Sequence, residues 1–238
     1  MQPPSLFNQL LETRFVAEGA ALLAQLPWLQ WQATRGTGPV MVLPGFLADD
    51  TSTALLRQFI AGLGYQVAGW QLGRNRGRML DHLPPVTERV AAMADAAGEP
   101  VRLVGWSRGG VLAREIARDR QDLVRQVVTL ASPVRGGPQA TALRAMLQRE
   151  TGLTPELLAQ LLAQRQQRTI NVPVSALYSK SDGVVAWQAC IDPDPAVEHH
   201  EVSASHVGMG CNAQVFRLVA RLLATDAPAA TERSTQGL

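Results

Sequence analysis

Ser107 lies in the run Val101 to Gly110, which reads Val-Arg-Leu-Val-Gly-Trp-Ser-Arg-Gly-Gly. Gly105 stands two positions before the serine and Gly109 two positions after it. The apolar, β-branched residues ahead of Gly105 suit a buried strand, and a helical pattern begins at Val111. A serine at the apex of a strand, a sharp turn and a helix fits the nucleophile-elbow pattern G-x-S-x-G. The spacing has a steric reason. The tip of so tight a turn holds the serine in strained φ/ψ, so its neighbours two residues away must lack bulk. The N–H groups opening the next helix favour negative charge developing at the serine. The chemistry implied is acyl transfer through a serine ester.

A serine hydroxyl is a poor nucleophile at neutral pH. It needs a base, and the base needs an orienting acid. Behind such an elbow they come from later loops, acid first and base second. The chain has four histidines. His82 precedes the serine, while His199 and His200 fall inside a strand pattern between Glu198 and Glu201. His206 follows that strand in Ala-Ser-His-Val-Gly-Met-Gly. Loops at the C-terminal ends of strands are where an α/β sheet presents its chemistry, so His206 is the expected base. Asp182 directly follows the preceding strand and stands before Gly183, where the backbone can turn and aim the carboxylate. It is the expected acid. Asp192 and Asp194 lie in a Pro-rich connection further from a strand end and rank below it.

Stabilising the oxyanion takes two backbone N–H donors. Arg108, next after the serine, supplies one. The other should come from Pro44-Gly45-Phe46-Leu47, after the first apolar strand. Phe46 N–H is the first choice and Leu47 N–H the fallback. Leu47 and Trp106 are also candidate substrate contacts. So are Arg74, Arg76 and Arg78, which share one loop. Together with Arg108 at the elbow and Arg135 after Pro133, their guanidinium groups read either as solvated surface charges or as a cationic rim selecting phosphate or carboxylate.

Around these residues, strand and helix patterns alternate. Strands are expected at Pro39–Leu43, Tyr65–Trp70, Val101 up to Gly105, Leu123–Ala131, Asn171–Tyr178 and Val197–Val202. Helices are expected at about Ser52–Leu63, Val86–Ala97, Arg108–Arg118 and Ala213–Leu223. That order implies an α/β class with a mostly parallel sheet covered on both faces. About forty residues separate the fourth and fifth strands, long for one crossover. They carry helical patterns at Gln139–Glu150 and Pro155–Gln166, the second presenting Leu157, Leu158, Leu161 and Leu162, with Leu153 just before it. This insertion, 136–168, reads equally as a lid or as helices packed on the sheet. A leading helix, Ser5–Leu26, should stop at Pro27. It reads as packing on the core edge in preference to an interfacial anchor. The expected organisation is an N-terminal segment over 1–35, a main domain over 36–225 and a flexible tail over 226–238.

Composition narrows the function classes. The 238 residues are 46% hydrophobic and 18% charged, with a net charge of +2. That gives no strong pull toward nucleic acid or an anionic membrane. No apolar run is long enough to span a bilayer, and no convincing secretory signal opens the chain. The expected compartment is the cytoplasm, where Cys190 and Cys211 would be free thiols. Neither metal-ligand spacing nor a cofactor motif is present, so none is expected.

Taken together, Pro-Gly-Phe after the first strand, Gly-Trp-Ser-Arg-Gly-Gly, Ser-Lys-Ser-Asp-Gly-Val-Val and Ser-His-Val-Gly-Met resemble the α/β-hydrolase superfamily. Within it the chain looks like the bacterial lipase/esterase-like members, over roughly Pro39 to Leu223. The resemblance implies an α/β-hydrolase fold, a Ser107–His206–Asp182 triad and a small-molecule or lipid-like ester as substrate. It leaves a thioesterase, an acyltransferase or a catalytically silent scaffold as alternatives. It implies no nucleic-acid partner and no stable membrane insertion, and is compatible with interfacial contact with lipid.

Overall fold

The computed structural model describes residues 2–152 and 154–225. Six strands form one sheet: β1 (Pro39–Leu43), β2 (Gln66–Gly69), β3 (Val101–Trp106), β4 (Val124–Leu130), β5 (Val174–Tyr178) and β6 (Val197–Glu201). The order is β2-β1-β3-β4-β5-β6, and every neighbouring pair is parallel. β1 is buried along its whole length, as expected for a central strand read as a continuous apolar run.

Helices cover both faces. Leu56, Phe59 and Ile60 of α3 (Ala54–Gly62) pack with Val215, Phe216 and Val219 of α8 (Ala213–Ala224) on one side. Val86 and Val90 of α4 (Leu83–Ala97) pack with Leu112 and Ile116 of α5 (Arg108–Asp119) on the other. These two apolar layers sandwich the sheet and fix which strand ends can converge.

The chain begins with α1 (Leu6–Leu10), a 3-10 turn at Leu11–Arg14 and α2 (Phe15–Gln32). The expected stop at Pro27 is wrong: the helix runs five residues past it, to Gln32. Pro27 is exposed, so the carbonyl its ring leaves without a donor can be hydrated. α2 buries only Leu22 and Leu29. Leu6, Phe7, Leu10, Val16, Leu23, Trp28 and Trp31 stay exposed.

The long fourth crossover contains α6 (Arg144–Thr151) and α7 (Pro155–Gln166). Its first part is rooted beside the loop after β5. Thr141 bridges Val185, Ala142 N–H donates to Val184 O, and Ala186 N–H to Ala140 O. Its far end is tied to α5, where Arg165 pairs with Glu115 and Asp119, and Arg168 pairs with Asp119. Leu157 is exposed. Leu153, the side chains of Leu158, Leu161 and Leu162, and the tail over 226–238 lie outside the described residues. Among the described residues no helix is long and apolar enough to cross a membrane.

Candidate active site

Ser107 follows β3 directly and precedes α5, with φ 53° and ψ −120°. Such a positive φ is strained for a residue with a side chain. The chain holds it there by close backbone packing. A Cβ on Gly105 would stand 2.3 Å from Gly110 Cα, and one on Gly109 would stand 2.4 Å from Leu43 O. Neither position admits anything but glycine. The Ser107 hydroxyl makes no capping bond to α5. It is therefore not spent on its own helix.

The expected acid and base are brought together. His206 Nδ1 lies 2.7 Å from Asp182 Oδ2. The other carboxylate oxygen, Oδ1, accepts Val184 N–H at 2.8 Å and Val185 N–H at 2.7 Å. Both side chains are buried. With Nδ1 on the acid, Nε2 is the nitrogen left for chemistry. Burial opposes charging the imidazole. The Asp182 charge and its hydrogen bond, with Glu12 behind them, outweigh burial and hold its pKa above the ordinary value. Trp106 lies against His206, with ring centroids 6.2 Å apart, and its indole N–H donates to His206 O at 3.1 Å. This contact links the residue before the serine to the base. Asp192 pairs instead with Arg114, and Asp194 caps its own turn through Ala196 N–H.

The loop after β1 comes close to the serine. A Cβ on Gly45 would lie 3.5 Å from Ser107 Cβ. Among the described residues no backbone partner takes Phe46 N–H. Leu47 N–H donates to Asn75 O at 2.8 Å, so the fallback donor is committed elsewhere. Leu47 itself has φ 60°, which closes the turn in which Ala48 N–H donates to Gly45 O. Asn75 is fully buried and fastens this loop. Its amide donates to Pro44 O at 2.8 Å, and its backbone N–H donates to Ala48 O at 2.8 Å.

Two of the three loop arginines have partners in α6. Arg76 pairs with Glu150 at 3.1 Å, and Arg78 donates to Thr151 O at 3.1 Å. Both therefore hold the end of α6. Arg74 is exposed near Asp49.

Two carboxylates of the N-terminal segment reach the site from outside, and the sequence reading missed their part. Glu12 accepts Gly183 N–H at 2.7 Å, His206 N–H at 2.8 Å and Val207 N–H at 2.9 Å. Glu18 accepts Ser205 N–H at 2.9 Å and Ser205 Oγ–H at 3.0 Å. Arg14 bridges Glu18 and Ser181 Oγ. One helical segment thus clamps the acid loop and the base loop together. Glu12, Arg14 and Glu18 were visible only as its polar face, some 170 residues or more from their partners. Asn75 stood hidden between two arginines. No group of three or more His, Cys, Asp or Glu side chains suited to a metal ion occurs among the described residues.

No family model matches the sequence, and no curated protein is similar to it in sequence. Solved structures are similar in fold. The mature lipase of Bacillus licheniformis superposes with a TM-score of 0.63 at 16% identity, covering 78% of this chain and 91% of that one. Lipase B of Aspergillus fumigatus gives 0.64 at 15% identity, over 82% of this chain and 54% of its own. A thioesterase domain from the curacin biosynthetic pathway gives 0.57 at 17% identity, over 79% and 91%. The chain has the α/β-hydrolase fold.

Proposed function

We propose that this chain of α/β-hydrolase fold is a serine hydrolase that cleaves carboxylic esters. The observation that carries the reading is the buried Asp182–His206 pair, with His206 against Trp106, the residue before a serine held at positive φ. Ser107 Oγ attacks the acyl carbon while His206 Nε2 takes its proton. Asp182 keeps Nδ1–H directed at itself, which selects the tautomer with a free Nε2 and stabilises the imidazolium. Phe46 and Arg108 N–H groups receive the developing oxyanion. His206 then protonates the leaving alcohol, and a water activated by the same ring releases the acid. The three similar structures are two lipases and a thioesterase domain, so an acyl-thioester donor is the second reading.

Turnover separates the readings. Purified protein should hydrolyse short 4-nitrophenyl esters with higher kcat/KM than acyl-CoA of equal chain length. Ser107→Ala should lower that turnover by roughly 10^4 to 10^6. Retention of more than about a tenth of activity would place the nucleophile elsewhere. Preference for the thioester would replace the ester by the second reading.

A further inference from the structure

Arg108 differs from the other buried arginines around α5. Arg114 pairs with Asp192 and Arg118 with Glu115. Arg108 is 7% exposed, yet Nε and both Nη atoms have no hydrogen-bond partner among the described residues. Buried charges are ordinarily paired, so an orphaned guanidinium asks for a ligand.

Its position says which ligand. Arg108 opens α5 directly after Ser107, and its guanidinium lies over the Phe46 ring, 5.4 Å from the centroid. Phe46 follows Gly45, the residue packed beside Ser107. The guanidinium therefore stands on the loop that flanks the serine, pre-oriented by the ring face. The acids whose charge reaches it do not satisfy it. Glu150 is taken by Arg76, and Glu150 and Asp81 act on Arg108 only through their charge. Burial pulls the Arg108 pKa down to about 10, which leaves it charged at neutral pH.

We propose that the Arg108 side chain is an anion-binding arm of the site, and that the ester cleaved carries a carboxylate a few bonds from its carbonyl. One residue would then grip the substrate twice, by its N–H at the oxyanion and by its guanidinium at the carboxylate. A planar carboxylate matches the guanidinium fork and brings one charge to meet one. A phosphate dianion would set its second charge against Glu150 and Asp81. This inference rests on the serine-hydrolase reading and adds a substrate class to it.

Two matched ester pairs test it. The acyl-side pair is 4-nitrophenyl hemiglutarate against 4-nitrophenyl valerate. The alcohol-side pair is 3-butyryloxybenzoate against phenyl butyrate. The unmodified enzyme should prefer the charged member of at least one pair. In Arg108→Gln the charged-over-neutral ratio of kcat/KM should fall tenfold or more. Arg108→Lys, which keeps the charge but loses the fork, should fall partway and serves if the glutamine variant does not fold. Preference for the neutral member in both pairs would overturn the proposal, as would an unchanged ratio in both variants. Covalent labelling of Ser107 by a fluorophosphonate, run alongside, tells the two failures apart. Labelled enzyme without charge preference sinks only the carboxylate arm, whereas unlabelled enzyme sinks the hydrolase reading itself.

Discussion

At the scale of single residues, the proposed role of His206 as base ties the working pH to its protonation. A general base must be neutral to accept the serine proton, and the pKa of His206 is held above its ordinary value, near 6.5. Activity should therefore be low below neutrality and rise with pH through a midpoint above that value. Asp182→Asn removes the largest of the groups that raise it. The midpoint should then move down while turnover drops by up to about 10^4, because the amide no longer selects the productive tautomer. A pH profile of kcat/KM on a 4-nitrophenyl ester measures both. An unshifted midpoint would mean that Asp182 does not act on the base. At this scale the sequence was most informative. Gly105 and Gly109 meet backbone where a Cβ would stand, so their spacing around Ser107 is a steric requirement readable in one dimension. That Leu47 N–H is already taken was not readable, because its acceptor is the carbonyl of Asn75, in a loop nearly thirty residues on.

Among the elements, the N-terminal helical segment ties the two loops after β5 and β6 together. Glu12 gathers three N–H donors from the acid and base loops, and its charge also reaches His206. Glu12→Gln should lower kcat about tenfold or more, since bonds to a charged acceptor contribute about 1.5–3 kcal/mol. It should also shift the His206 midpoint down. Glu18 holds Ser205 and is not among the charges that shift His206, so Glu18→Gln should lower the melting temperature and leave the midpoint in place. Equal profiles for the two variants would make the clamp purely structural. None of this was legible in the sequence, where periodicity marks a helix but not what its polar face touches. Pro27 misled for a related reason. A proline removes one helix bond, and whether that ends the helix depends on whether the freed carbonyl meets water, which only packing decides. Strands were easier. β1 and β3 read as buried runs because both faces are covered, and they lie where the apolar residues placed them.

For the molecule as a whole, the alternation of strand and helix was enough to anticipate a parallel sheet with helices on both faces, since right-handed crossovers leave few other arrangements. The insertion was legible as helices but not by its attachments, which are ion pairs and backbone bonds to distant segments. The two cysteines are free, Cys190 buried near Asp182 and Cys211 packed beside Gly19 of α2. Burial raises both thiols, Cys190 well above its ordinary value. In folded protein, Ellman's reagent should therefore react slowly with Cys211 and leave Cys190 untouched; after unfolding it should count two thiols. Fast reaction of both in the folded state would contradict the packing around the Asp182 loop.

The most direct test is covalent. A fluorophosphonate probe reacts fast with a serine activated by its base, so it reads nucleophile, base and oxyanion donors in one step. Unmodified protein should gain the mass of a single adduct, mapped by peptide sequencing to Ser107. Ser107→Ala should gain none, and His206→Ala should react far more slowly. An adduct on another residue, or none on well-folded protein, would contradict the assignment of Ser107, His206 and Asp182 as the reacting unit.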